Sequence, residues 1–327
     1  MSRITIISGF LGAGKTTFAN LLLNHYIQKG ETTAYIVNEF GQAGLDSALL
    51  QQKGFQTLDI VGGCICCTLR GRITDALREV LETYNPARIV FEPSGIFIFE
   101  KFLDVLEDPL LKGRCTVDGV ITIVDSVHAK DALFVPGNFF TNQIAHADTL
   151  VLSKLQLFQG NPKTLIDRLH GFNERADILA KPWDELTDKD FATLDLGGSV
   201  GIDNEPCCCG HAHHDHDHHH DHDHHDHAHH HDDAHEHPHG HEPMDTVSLL
   251  PRPLDAEALA ALEKALRAGA FGEVYRIKGP VRYDGRTMLL QAVFDTIRLE
   301  ENPPEGVEGL TFIGHELDEE AIRKSWA

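Results

Sequence analysis

Gly9-Phe10-Leu11-Gly12-Ala13-Gly14-Lys15-Thr16-Thr17 fits the spacing G-x-x-x-x-G-K-[ST] of a phosphate-binding loop. The flanks fit it too. Arg-Ile-Thr-Ile-Ile-Ser at 3–8 is a β-branched run suited to a buried strand. From Thr17 onward, Phe18, Leu21, Leu22 and Tyr26 recur at helical spacing up to Gln28, and Gly30 stands where a helix stops. Strand, glycine loop and helix together let the backbone N–H groups of Gly9, Gly12, Ala13, Gly14 and Thr17 close on phosphate oxygens at a helix N-terminus. In that arrangement Lys15 reaches the β- and γ-phosphates and the Thr16 hydroxyl ligates Mg²⁺.

The chain has 327 residues, enough for two domains, and a net charge of −22. That charge argues against nucleic acid or an anionic membrane as main partner. No apolar run reaches the length of a membrane span. The first strand begins almost at Met1, which leaves no room for a secretory leader, so a cytoplasmic protein is expected. Its seven cysteines then read as thiols or metal ligands instead of disulfides.

Up to about residue 186, predicted strands alternate with helices. After the first unit come strands at 33–38, 88–91, 120–124 and 149–152, and a helix at 70–81 with Ile73, Leu77, Val80 and Leu81 on one face. The pattern predicts an α/β fold with a doubly wound, mainly parallel sheet of P-loop NTPase type. Gly9, Glu92, Asp125 and Lys154 all fall at strand ends, where such sheets bind ligands. Glu92 closes the apolar run Ile89-Val90-Phe91 and is the expected Mg²⁺ holder opposite the loop, with Asp125 as the alternative.

A second chemistry sits at Gly62-Gly63-Cys64-Ile65-Cys66-Cys67. Thiols this close converge on one soft cation such as Zn²⁺, and small buried cysteines would not need two glycines before them. Three adjacent thiols rarely close a tetrahedral site alone. Glu39, at the end of the second strand, is a candidate fourth ligand.

Residues 187–244 read as a linker. Between His211 and His241 stand 18 His and 8 Asp or Glu with no Lys or Arg, so the segment has nothing to bury and is expected to be disordered. Its imidazoles, beginning with His211, His213, His214, His216, His218, His219, His220 and His222, form many weak, exchanging sites for Zn²⁺, Ni²⁺, Co²⁺ or Cu²⁺. From 245 to 327 the pattern is a small α+β unit, with helices at 259–266 and 319–326 and strands at 273–278, 288–294 and 310–313.

The sequence resembles the CobW-like family of P-loop GTPases, whose members include zinc and cobalt metallochaperones. The resemblance rests on the phosphate loop, Asn38-Glu39-Phe40-Gly41, Cys64-Ile65-Cys66-Cys67, Glu92-Pro93-Ser94-Gly95, and Gln143-Ile144-Ala145-His146-Ala147-Asp148 leading into Ser153-Lys154. It extends to Tyr275-Arg276-Ile277-Lys278-Gly279 and Phe312-Ile313-Gly314, which look like the family's C-terminal domain. It implies GTP hydrolysis with Mg²⁺, coupled to handling of zinc, cobalt or nickel for a client metalloprotein. Cys64, Cys66, Cys67 and Glu39 match its metal positions, Glu92 matches its second nucleotide motif, and Ser153, Lys154 and Gln156 its base-reading segment.

Two departures stand out. Gln42 replaces a frequent Glu, and Gln156 replaces the Asp that reads guanine. Gln offers one acceptor where the base has two donors, so weak discrimination of GTP from ATP is expected. Three functions fit the residues: a nucleotide-driven metallochaperone, a metal-storage protein dominated by the His tract, and a small-molecule kinase, which leaves the cysteines unexplained.

Overall fold

The computed structural model describes residues 1–39, 56–61, 67–194, 244–301 and 309–326, and for residues 39, 56–61, 67–70 and 101 the backbone alone. Strand β1 (Ser2–Gly9) is the centre of the first unit. Ile4 and Ile6 enter one core, Ile7 another, because both faces of the sheet are covered. Around it lie β2 (Thr33–Glu39), β3 (Gln56–Val61), β4 (Arg88–Glu92), β5 (Cys115–Asp125), β6 (Thr149–Ser153) and β7 (Asp177–Leu179). The seven strands run in the order β3-β2-β4-β1-β5-β6-β7, and every pairing is parallel. Connections lead from β1 to β2–β4 on one side and to β5–β7 on the other. A sheet of this kind opens its binding crevice where the winding reverses, at the carboxyl end of β1.

Helix α1 (Lys15–Gln28) starts inside the phosphate loop and buries Phe18, Leu22 and Tyr26. It stops where Gly30 takes a φ of +75°. Helix α2 (Cys67–Thr83) begins three residues before the predicted start, at the last cysteine of the motif, and buries Ile73, Leu77, Val80 and Leu81 on the opposite face of the sheet. A further helix, Asp188–Leu194, occupies the stretch read as the start of the linker. Phe191 and Leu194, spaced three apart, join Phe18 and Tyr26 in the core, which is why so short and polar a segment holds its place.

The second unit is a six-stranded sheet of β8 (Asp245–Leu249), β9 (Pro253–Leu254), β10 (Glu273–Tyr283), β11 (Arg286–Val293), β12 (Thr296–Glu300) and β13 (Leu310–His315). Helices Ala256–Arg267 and Glu319–Ser325 accompany it. Both carry an Asp N-cap: Asp255 accepts the Ala258 N–H at 2.8 Å and Asp318 that of Ala321 at 2.9 Å.

The two units share a core. Phe10 of the phosphate loop stacks on Phe294, centroids 6.2 Å apart, and meets Phe140 and Tyr275 edge-on. Tyr275 and Ile313 are buried in the same cluster as Leu11, Phe139 and Leu152. Among the described residues no helix is long and apolar enough to cross a membrane.

Candidate functional site

The phosphate loop turns through Gly12 at φ +68° and Gly14 at φ +100°, both left-handed, and Gly14 is the N-cap of α1. Lys15 is 7 % exposed, and its ammonium donates to the carbonyls of Gly9 at 3.0 Å and Phe10 at 3.2 Å. The charge therefore sits in the mouth of the loop, where the phosphate reading needs it.

Thr16 and Glu92 meet although 76 residues separate them: the hydroxyl donates to Glu92 Oε1 at 2.8 Å. Glu92 is the last residue of β4 and only 5 % exposed. Its other oxygen accepts from the Tyr35 hydroxyl, on the neighbouring strand β2. Two hydroxyl donors satisfy part of this buried carboxylate and leave lone pairs for a cation. One alcohol oxygen and one carboxylate are hard donors of the kind Mg²⁺ takes from a protein when phosphates and water supply the rest, so the residues fit that ion.

Asp125 does not join this pair. It accepts from Lys154 Nζ at 2.5 Å and from the backbone N–H groups of Val127 at 3.0 Å and His128 at 3.4 Å. Lys154 is itself left-handed, φ +55°, and also donates to the Gly12 carbonyl at 2.9 Å. Ser153 donates to the Ala13 carbonyl at 2.7 Å. The segment after β6 is thus bolted to the loop by two carbonyls. Beside it lies a cavity of about 580 Å³, walled by Ala13, Gly14 and Thr17, by residues 152–156 including Gln156, and by residues 181–185.

The stretch 143–148 is structural. Gln143 Nε2 donates to the carbonyls of Gly95 at 3.0 Å and Phe97 at 3.2 Å and so fixes the segment after Glu92. His146 stacks on Phe99 at 4.9 Å. Asp148 accepts the Val120 N–H at 2.7 Å; burial pushes its carboxyl above the usual range and that hydrogen bond pulls it partly back.

The metal reading fares differently. Cys64, Cys66 and the tract 211–241, with His211, His213, His214, His216, His218, His219, His220 and His222, lie outside the described residues. Cys67 opens α2 and Glu39 closes β2, each with its backbone alone described. Among the described residues no three His, Cys, Asp or Glu side chains cluster as a metal site. What the fold does give is proximity in the sheet. Val37 of β2 is in register with Glu92, two residues before Glu39.

The sequence reading missed Tyr35 and Trp183, and it set Asp125 and Lys154 at the strand ends of one site without the direct bond between them. Trp183 tilts against Phe18 at 5.3 Å and donates its indole N–H to the Leu152 carbonyl at 3.0 Å. No spacing could have revealed these, since each depends on strands that are far apart in sequence.

Known sequences point the same way. Residues 3–180 match the model of the CobW/HypB/UreG nucleotide-binding domain, and residues 246–327 match the cobalamin synthesis protein CobW C-terminal domain. Similar proteins include the zinc chaperone YjiA of Escherichia coli strain K12, 34 % identical over 187 residues, covering 54 % of this chain and 56 % of the relative. The zinc chaperone CobW of a Sinorhizobium species is 30 % identical over 243 residues, 65 % of this chain and 67 % of the relative. Zinc-regulated GTPase metalloprotein activator 1 of Schizosaccharomyces pombe is 28 % identical over 211 residues, 62 % and 51 % of the two chains. The aligned part thus spans between half and two thirds of these relatives.

Proposed function

The chain belongs to the CobW/HypB/UreG family of nucleotide-binding proteins, and from that premise we propose that it is a GTP-hydrolysing metallochaperone, which binds a transition metal and hands it to a client metalloprotein in the cytoplasm. Zinc is the preferred cargo, because similar proteins carry the names zinc chaperone and zinc-regulated GTPase metalloprotein activator. The observation that carries the reading is the Thr16–Glu92 contact, beside a Lys15 held on the loop carbonyls, in a chain that also holds Cys64, Cys66 and Cys67.

In this reading Lys15 and the loop N–H groups bind the β- and γ-phosphates, and Thr16 and Glu92 would hold Mg²⁺, which neutralises phosphate charge. Cys64, Cys66 and Cys67 with Glu39 form the cargo site, thiolate-rich as zinc prefers. Tyr35 supplies the link. It lies on the strand that ends in Glu39 and hydrogen-bonds the carboxylate that faces Thr16.

A storage role for the His tract is favoured by one observation, its 18 imidazoles between His211 and His241. The two readings separate in one experiment. Zinc affinity is measured by chelator competition with GTP, GDP and no nucleotide, on protein lacking residues 211–241. The chaperone predicts a nucleotide-dependent affinity, on the order of 1–3 kcal/mol between states, and a reciprocal effect of zinc on GTP. Hydrolysis should survive the deletion and vanish in Lys15→Ala. Equal zinc affinity in all three states would leave storage as the function.

A further inference from the structure

Guanine presents two adjacent donors, N1–H and the C2 amine, and a selective site must place two acceptors opposite them. An ionised carboxylate does this, whereas the Gln156 amide has one acceptor oxygen. The lining of the cavity beside the phosphate loop holds such groups. Asp184 and Glu185 line it, and they are the carboxylates among its lining residues. Both are exposed, and neither side chain has a hydrogen bond or ion pair among the described residues.

Their turn is rigid. It is a 3₁₀ turn, Trp183–Glu185, closed by the Glu185 N–H on the Pro182 carbonyl at 3.0 Å. Trp183 is pinned to Leu152 and Phe18, and its ring lies 3.1 Å from where a Cβ on Gly14 would stand. Just outside the turn, Asp190 gathers Lys181 Nζ at 3.0 Å and the Thr187 N–H at 2.7 Å. Lys181 is thereby committed to Asp190, and Lys154 to Asp125 and Gly12. Besides Gln156, the cavity lining thus carries two carboxylate acceptors on a fixed frame, adjoining the loop of the phosphate reading.

Resting on the reading of the loop as a GTP site, we propose that guanine is selected by a carboxylate of the turn Trp183–Glu185, either Asp184 or Glu185. That carboxylate accepts from N1–H and the C2 amine, while the Gln156 amide N–H₂ donates to the C6 oxygen. Adenine offers an unprotonated ring nitrogen at the position of N1–H, so the same carboxylate repels it. Gln156 is then a compatible member of a guanine site, and the departure at that position does not weaken selectivity.

The test measures dissociation constants for GTP, ATP and XTP, with Mg²⁺, in wild type, Asp184→Asn and Glu185→Gln. Xanthine carries a C2 oxygen where guanine has its amine. An amide in place of the reading carboxylate pairs N1–H with its oxygen and that C2 oxygen with its N–H₂. One of the two variants is expected to lose GTP by about 10-fold or more and to gain XTP correspondingly. A wild type that prefers GTP, with both variants still preferring GTP over XTP, overturns the proposal and leaves the GTP reading standing. Loss of GTP without gain of XTP also overturns it, because a merely structural role gives that pattern. A wild type that binds ATP as well as GTP removes the guanine reading itself. Thermal unfolding of the variants, at two exposed positions, checks that the fold is unchanged.

Discussion

Gly12→Ala probes how hard the C-terminal sheet bears on the phosphate loop. Gly12 has φ +68°, and holding Ala there costs about 1–2 kcal/mol on backbone grounds alone. A Cβ at this position would overlap Val293 Cγ2, the end of β11, while the Cβ and Cγ1 of Val293 stand at an ordinary 3.5 Å. The conflict is with one methyl group, and relieving it by moving a packed side chain costs about 1–3 kcal/mol. The single variant should therefore lose about 2–5 kcal/mol in all. Val293→Ala deletes the offending methyl and on its own loses part of a half-buried side chain, about 1 kcal/mol. In the double variant the clash is gone, so it should be more stable than the sum of the singles by about 1–3 kcal/mol. Urea unfolding of the four proteins reads this out, with Trp183 reporting beside the loop and Trp326 in the C-terminal unit, the chain's two tryptophans. Additivity within about 0.5 kcal/mol would refute the contact between the units. The same cycle repeated with a fluorescent guanine nucleotide asks whether the contact also tunes binding.

Tyr35→Phe removes one of the two hydroxyls on Glu92; a hydrogen bond to a charged group is worth about 1.5–3 kcal/mol, so turnover should fall about 10-fold or more and the Mg²⁺ requirement rise, and wild-type turnover and Mg²⁺ response would dismiss the link. Cys66→Ser with Cys67→Ser, in protein lacking residues 207–241, should abolish zinc binding in competition with a strong chelator, and undiminished competition would place the tight site elsewhere. Asp190 is held down to about 2 by hydrogen bonds from the Thr187 and Lys181 side chains, so its support of the Trp183 turn is complete above the ordinary carboxylate range near pH 4 and is lost as pH falls towards 2. Asp190→Asn should remove that part of the acid transition seen in Trp183 fluorescence, and an unchanged titration would show that the knot is irrelevant to the turn.

The loop, α1 and the parallel character of the sheet were legible because their rules are local. Glycine spacing fixes the loop backbone, and apolar runs bounded by helical periodicity fix the strands. The sequence was less informative where polar residues do tertiary work inside strands. β5 runs from Cys115, five residues before the apolar run at 120, and the intervening Asp118 hides it. That Asp pairs with Arg88, which is 1 % exposed and also bound to Glu31, so both charges belong in the sheet only once β4 and β5 flank β1. β3, Gln-Thr-Leu-Asp-Ile-Val, is hidden because Gln56, Thr57 and Asp59 break its apolar run. At the site, Lys15, Thr16 and Glu92 were readable from motif logic. Tyr35 was not, since an aromatic in a strand reads as core, and its hydroxyl has meaning only beside Glu92.

The phosphate loop is held from three sides, and the sides differ in what they can transmit. On the base side Lys154 and Ser153 bond the carbonyls of Gly12 and Ala13. These bonds spare the loop N–H groups, so phosphate binding need not break them, and a contact that is the same in both states couples nothing. On the β4 side, the Thr16 hydroxyl donates its proton to Glu92, and an oxygen that donates to a carboxylate must redirect that bond if both groups are to face one cation. Glu92 also accepts from Tyr35, and β2 runs on from Tyr35 to Glu39, four residues further on. On the third side Phe10 and Gly12 touch Phe294 and Val293, so any shift of the loop is felt in β11 and at Tyr275 of β10. In the proposed cycle the nucleotide site thus has two mechanical outputs, one along β2 to Glu39 and one into the C-terminal sheet. Tyr35→Phe should weaken the coupling of zinc to GTP while leaving the Gly12–Val293 interaction energy unchanged; if one substitution alters both, the two outputs are a single path.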